Sequence, residues 1–299
     1  MFDKVVVVGV GLIGGSFALA LRRAGLAKRI VGVGRDMATI ERARALGIVD
    51  AGEPMETAIP GADLVLVAAP VAQTGKILGA MLPHLDEKTI VTDAGSTKSD
   101  VVAAARAALG ARVRQFVPGH PIAGREKNGP EAALADLYRG KKFVLTALPE
   151  NPADALDKVA DAWRACGAIV HKLTPEDHDK VFAAVSHLPH LLAYALVDDI
   201  ANKPHANLLF QFAASGFRDF TRIAGSSPEM WRDITLANRT ALLGELDAYL
   251  AQLNALRAML VAADGSAIEA VYASAQQARQ RWIDTIEAAE APQSQETSE

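Results

Sequence analysis

Lys4-Val5-Val6-Val7-Val8 runs directly into Gly9-Val10-Gly11-Leu12-Ile13-Gly14, and the reading of this stretch decides the fold. An unbroken β-branched run is the mark of a strand covered on both faces. An apolar helical stretch, Ile13–Ala24, opens immediately behind the glycines. Glycines at this spacing, between a strand and a helix, suit a turn that holds a dinucleotide pyrophosphate. Gly9 permits the tight turn, Gly11 lets the backbone approach the phosphates, and Gly14 allows close helix–strand packing. The first free N–H groups of the helix, at Leu12 and Ile13, then offer the positive end of its dipole to an anion.

Outward from this turn, strand and helix patterns alternate. Strands are expected at Lys4–Val8, Arg29–Val33, Leu64–Ala68, Thr89–Asp93, Arg114–Val117, Lys142–Thr146 and Ala168–Lys172. Helices are expected at Ile13–Ala24, Met37–Leu46, Val71–Met81, Lys98–Leu109 and Pro152–Cys166. That alternation predicts an α/β domain, a doubly wound Rossmann-type parallel sheet, over residues 1–172. From Thr174 the strand signal stops, and an all-α helical domain is expected over 173–286. Val181–Ile200 is apolar and helical in pattern, with Pro189 forcing a kink or ending a turn. Ser226-Ser227-Pro228-Glu229 has the form of a capped helix start. Leu242, Leu246, Tyr249, Leu253, Leu256 and Leu260 make a seam for packing against another long helix, within the chain or in a second copy. Asp264-Gly265 stops that helix, and Ser266 with Glu269 fits a capping box for the next. Residues 287–299 have the composition of a disordered tail.

The chain has 299 residues, half of them apolar, 22% charged, and a net charge of −4. Such a balance offers no electrostatic reason for nucleic acid or an anionic membrane as partner. No apolar run is seen of the roughly 18 residues a membrane span needs. One cysteine, Cys166, excludes an intrachain disulfide. Met1-Phe2-Asp3-Lys4 leads straight into a strand with no signal segment ahead of it, so a soluble, cytoplasmic protein is expected.

Cofactor choice is read at the end of the second strand, about 20 residues past the glycines. There Gly34-Arg35-Asp36 stands. A glycine at 34 neither binds ribose hydroxyls nor repels a 2′-phosphate, and Arg35 can pair with one. NADP is expected over NAD. Asp36, one loop shift from the ribose, leaves NAD open, and a solvated surface arginine remains the plainer account of Arg35.

Ligands in such sheets lie beyond the carboxyl ends of the strands. The candidate loops are Ala68-Ala69-Pro70, Asp93–Lys98 and Val117–Gly124, rich in small residues that admit a cofactor close to the backbone. Ala69 and Pro70 are expected beside the cofactor, with Ser96 and His120 toward its nicotinamide. A histidine there can take a hydroxyl proton as hydride leaves the same carbon. Taken alone, His120 serves equally well as a structural loop residue.

Five blocks, Gly9–Ser16 (GVGLIGGS), Asp93–Lys98 (DAGSTK), Gly119–Gly129 (GHPIAGREKNG), Ser186–His190 (SHLPH) and Gly216–Trp231 (GFRDFTRIAGSSPEMW), together resemble the successive signatures of the prephenate/arogenate (cyclohexadienyl) dehydrogenase family. The resemblance spans about residues 4–260. It implies an oxidoreductase of tyrosine biosynthesis that uses NAD or NADP to decarboxylate prephenate to 4-hydroxyphenylpyruvate, or arogenate to tyrosine, and that works as a homodimer. By the same resemblance His120 accepts the proton of the ring hydroxyl, and Ser96 holds that hydroxyl against the nicotinamide. Arg222 pairs with the departing carboxylate, Glu126 lies at the pocket rim, His187 and His190 lie near the substrate, and Asp219 and Trp231 shape the far wall. Arg125 departs from the small hydroxyl residue associated with that position and bears on the choice between prephenate and arogenate. Read without the resemblance, Arg218, Asp219 and Arg222 suit a salt-bridged helix face as well. Two other readings share the architecture: a β-hydroxyacid dehydrogenase or imine reductase, which needs a helix-borne lysine such as Lys180, and a non-catalytic nucleotide sensor.

Overall fold

The computed structural model describes residues 1–125 and 127–290. Six strands form one parallel sheet: β1 (Phe2–Val8), β2 (Ala27–Val33), β3 (Ala51–Gly52), β4 (Leu64–Val67), β5 (Ile90–Asp93) and β6 (Phe116–Val117), in the order β3-β2-β1-β4-β5-β6. β1 is central because its residues serve two cores at once. Val5 and Val7 point into one apolar layer with Phe17, Leu21 and Trp163. Val6 and Val8 point into the opposite layer with Val65, Val67 and Leu78. Period-two alternation with both faces covered is what a continuous valine run requires.

The chain winds from β1 to β3 in one direction and from β4 to β6 in the other, so the order reverses between β1 and β4. The glycine turn sits at this switch point. Gly9 has φ of +96°, and a Cβ there would collide with the Ala68 carbonyl at the end of β4. At Gly14 a Cβ would strike the Gly9 carbonyl and approach Val7 Cγ1 to 2.7 Å, whereas nothing lies within 4 Å of one at Gly11. The helix that follows, Leu12–Arg23, starts at Gly11 with no side-chain cap and no acidic residue in its first turn.

Two of the expected strands do not join this sheet. β8 (Lys142–Leu145) and β9 (Ile169–Lys172) form a second sheet with a short strand the sequence did not reveal, β7 (Gly119–Pro121), in the order β7-β8-β9. β7 runs antiparallel to β8, with His120 opposite Val144. Pro118 has no N–H to donate and separates β7 from β6. Its carbonyl accepts from Thr146 N at 3.0 Å instead. Trp163 stacks on Phe143 of β8, ring centroids 4.3 Å apart, and meets Tyr138 edge-on, which seats the second sheet against the helix Ala153–Ala165.

After β9 the chain is helical. Thr174 caps a helix that begins at Pro175, passes through a π turn at Ala183–His187 and continues from Leu188 to Ala201. The π turn lies immediately before Pro189, so the widened backbone takes up the missing donor and the helix goes on instead of ending. By length and composition this 27-residue helix could cross a membrane. That corrects the expectation that no such run exists, but the helix carries buried His178, Asp179 and His187 against the sheet loops, the role of a domain helix. Ser227 caps Pro228–Ala237 as expected. The cap of the last helix is not Ser266: the helix starts at Gly265, and Asp264 accepts from Ala267 N and from the Ser266 hydroxyl.

The chain divides into two compact units, Met1–Leu243 and Gly244–Glu299, with the division inside the helix Arg239–Val261. Leu242 of the leucine seam is buried, yet Leu253 is 43% and Leu260 68% exposed, so the seam is only partly covered within the chain. The last helix runs through Glu290, into the stretch expected as a tail. Residues 291–299 lie outside those described.

Gly14→Ala is expected to lower the unfolding free energy by about 1–3 kcal/mol, because the blocking atoms include fixed backbone. Gly11→Ala should stay within about 0.5 kcal/mol of the parent, and urea denaturation of both variants checks the contrast.

Candidate active site

The loops at the carboxyl ends of β5 and β6 meet at one buried ion pair. Asp93, the last residue of β5, meets the Lys98 ammonium at 2.6 Å, and both side chains are almost wholly enclosed. The same carboxylate accepts from Gly95 N at 2.8 Å and Gly119 N at 3.0 Å. It therefore ties the Ser96 loop to the start of β7, where the next residue is His120. A buried pair with its remaining oxygens satisfied in this way holds geometry more than it adds stability.

His120 is half-buried. Its Nδ1 lies 2.8 Å from His178 Nε2, and its ring tilts against Phe182. Its pKa lies well below 6.5, chiefly through desolvation, with the neighbouring His178, Lys98 and His187 adding to the effect. His178 is completely buried and its Nδ1 is 2.8 Å from Asp179 Oδ1. Asp179 in turn accepts from Lys98 N and Ser99 N, each at 2.8 Å, at the start of the helix Ser99–Leu109. Burial raises its pKa, but these bonds outweigh that and hold it below the usual carboxylate value.

His187 is also buried. Asn238 Nδ2 donates to the Asp179 carbonyl at 2.7 Å and lies 3.0 Å from His187 Nδ1, so that ring nitrogen accepts. The Ser96 backbone lies close enough to favour protonation of this ring, against the larger effect of burial. His187 thus has Nδ1 held by Asn238 and lies against the Ser96 loop. Desolvation lowers its pKa to about 4. His190, one turn on, gives Nδ1 to the Ser186 carbonyl at 2.8 Å and stacks on Trp231, ring centroids 3.5 Å apart. Trp231 is buried, and its indole N–H has no hydrogen-bond partner among the described residues.

The structure therefore gathers His120, Ser96, His187, His190 and Trp231. Arg222 lies in the turn Arg222–Gly225, with its charge near enough to disfavour protonation of His190. Asp219 is exposed and 3.9 Å from Arg218, and Arg125 is exposed on the loop beyond β7. Glu126 lies outside the described residues. Gly9, Gly11, Leu12, Ile13 and Gly14 form the turn at the switch point, with Ala69 and Pro70 just beyond β4. The uncapped helix start and the open space before Gly11 fit a dinucleotide pyrophosphate. Arg35 is exposed and makes no ion pair among the described residues. Asp36 is committed as the cap of Met37–Ala45, accepting from Ala38 N, Thr39 N and the Thr39 hydroxyl. Lys180 points outward, 72% exposed, toward Asp177, so the helix presents a histidine to the site where the rival dehydrogenases need a lysine.

Sequence reasoning missed His178, Asp179 and Asn238. The helical pattern of the sequence is legible only from Val181, whereas the helix begins at Pro175 and carries His178 in its first turn, docked on the 93–99 loop.

Comparison with known proteins bears on the same residues. The family described as prephenate dehydrogenase, nucleotide-binding domain, matches residues 17–172, and prephenate dehydrogenase, dimerization domain, matches 174–273. The chain belongs to the prephenate dehydrogenase family. A cyclohexadienyl dehydrogenase of Zymomonas mobilis is 35% identical over 93% of this chain and 96% of its own length. A prephenate dehydrogenase of Bacillus subtilis is 36% identical over 86% and 70% respectively. The crystal structure of prephenate dehydrogenase from A. aeolicus, in complex with hydroxyphenyl propionate and NAD+, is 38% identical, covers 95% of this chain and 99% of its own, and has a TM-score of 0.87. As a prephenate dehydrogenase family member the chain is an oxidoreductase built around a nicotinamide dinucleotide site, with the sheet domain and helical domain expected of it.

The histidine cluster makes the fold acid-sensitive. His120, His178, His187 and His190 all have pKa values below 6.5, mainly from desolvation, so each protonates more readily unfolded than folded. Their contribution is complete above pH 6.5 and is lost as the pH falls toward the folded values. For His187 the interval from 6.5 to about 4 corresponds to about 3 kcal/mol. Unfolding free energies measured across that window are expected to fall steeply in the parent and less steeply in His187→Gln.

Proposed function

We propose that the chain oxidises prephenate or arogenate with a nicotinamide dinucleotide, releasing the ring carboxylate as carbon dioxide and forming 4-hydroxyphenylpyruvate or tyrosine. The observation that carries this reading is His120: a neutral imidazole at the carboxyl edge of a dinucleotide-binding sheet, one nitrogen held by His178 and the other making no hydrogen bond among the described residues. Such a ring accepts a hydroxyl proton near neutral pH. The reaction asks for little else from the protein. Aromatisation drives it, and the side chains have to align the hydroxyl, receive its proton and hold an anion.

The bound dinucleotide supplies a hydride acceptor. Gly9, Gly11 and Gly14, with the N–H groups of Leu12 and Ile13, are proposed to hold its pyrophosphate. The Ser96 hydroxyl, carried on a loop braced by His187, is proposed to hold the substrate hydroxyl beside His120. Arg222 supplies the positive charge that a departing carboxylate needs, and the stacked His190 and Trp231 form an apolar wall for the substrate ring. NADP is the proposed cofactor. Gly34 offers no carboxylate to ribose hydroxyls, the Asp36 carboxylate is occupied by its cap, and Arg35 is available to a 2′-phosphate. The partly uncovered seam at Leu253 and Leu260 fits a homodimer formed through the helical domain, and the proposed setting is the cytoplasm.

The deciding experiment follows the absorbance of reduced nicotinamide with prephenate or arogenate and each oxidised cofactor. Turnover with one of them is expected, with NADP preferred, and no reduction in any combination would sink the reading. His120→Asn should lower kcat roughly 10²- to 10⁴-fold with little change in cofactor binding. Arg35→Ala should move kcat/KM from NADP toward NAD by about tenfold, a loss of about 1.4 kcal/mol of phosphate pairing; an unchanged ratio returns Arg35 to the solvated surface.

A further inference from the structure

Asp179, His178 and His120 form a chain whose protons can be placed one after another. Lys98 N and Ser99 N are permanent donors, so the Asp179 carboxylate they reach is an acceptor. Oδ1 of that carboxylate also faces His178 Nδ1 at 2.8 Å, and this nitrogen must carry a hydrogen. A neutral His178 then has a bare Nε2, which lies 2.8 Å from His120 Nδ1. Two bare nitrogens would repel, so His120 carries its hydrogen on Nδ1 and has its lone pair on Nε2. His178 cannot be the acceptor itself, because it is wholly buried and both its nitrogens are engaged.

We propose that His178 and Asp179 are positioning residues that hold His120 as the Nδ1–H tautomer, with Nε2 ready to take the substrate hydroxyl proton. This rests on the reading of His120 as acceptor given above and adds what makes it one. When the proton arrives at Nε2, His120 becomes an imidazolium whose Nδ1–H still points at His178. The Asp179 charge balances it at the far end, and no proton has to travel along the chain. The Lys98 ammonium opposes protonation of both rings, as do His187 for His120 and burial for each. Asp93 and Asp179 act the other way on His178. If His178 is protonated, its Nε2–H faces His120 and favours the opposite tautomer, with a hydrogen where the proton should go. Acid therefore lowers turnover through His178 as well as through His120.

The test uses the full-length protein with ¹⁵N-labelled histidine, His120 being assigned by the signal lost in His120→Asn. The parent at neutral pH is expected to show His120 protonated on Nδ1 and bare on Nε2. His178→Phe should shift that population toward the other tautomer and lower kcat about 100-fold, with KM for substrate and cofactor within about threefold. His178→Gln, whose amide can donate to Asp179 and accept from His120, should recover kcat to within about tenfold of the parent. An Nε2–H tautomer in the parent overturns the proposal, as does a His178→Phe kcat within threefold of it. Should His178→Phe not fold, the parent spectrum and His178→Gln still decide. Absence of any turnover in the parent strikes the proposed reaction, while the tautomer is read without it.

Discussion

A carboxylate on one helix caps the first turn of another. Asp179 takes the N–H groups of Lys98 and Ser99 at the start of Ser99–Leu109, and in doing so docks the helix that begins at Pro175 onto the loop after β5. Free N–H groups at a helix start need an acceptor, and a carboxylate is favoured there by the dipole. Everything at the candidate site leans on this contact. It brings His178 to His120 and sets the Asp179 carbonyl where Asn238 can reach it. Asn238 then orients His187, which braces the backbone of Ser96. One cap thus couples the sheet loops to three helical segments.

The second constraint is the Asp93–Lys98 pair. With both charges out of solvent, either side chain alone would be a heavy burden on the fold, so the pair fixes the path of the loop between them. Gly95 N and Gly119 N complete the Asp93 hydrogen bonds, and the second of these places β7. Burial is the main reason His120 and His178 stay neutral, and the same ammonium adds to it. The same pair thus fixes the loop and adds to the effects that keep His120 neutral.

The two ends of the site differ in how they are made. The phosphate end is backbone: a glycine turn, an uncapped helix start and the carbonyl of Ala68 packed against Gly9. The proton-accepting end is a set of side chains from β7, the helix at Pro175 and the turn at Asn238. Backbone recognition tolerates a range of nucleotides and chemistries, which is why the fold recurs among dehydrogenases. The reaction is set by the side chains gathered on the other side.

By itself the sequence determined what short-range sterics determine. Val5–Val8 with Gly9, Gly11 and Gly14 specified strand, turn and helix, and with them the parallel sheet and its switch point. The cap at Ser227-Pro228 specified where one helix begins. The motif blocks pointed to His120, Ser96, Arg222, Arg125, Glu126, His187, His190, Asp219 and Trp231. Tertiary structure alone decided that β8 and β9 leave the main sheet to pair with β7, because strand partners are chosen by long-range hydrogen bonding that period-two patterns do not encode. It also decided that His178 and Asp179 lie in line behind His120 and that Asn238 reaches His187. Glu176-Asp177-His178-Asp179 reads locally as an ordinary polar first turn. Only the docking of that turn on the 93–99 loop separates the buried pair from its exposed neighbours, and docking depends on residues some 80 positions away.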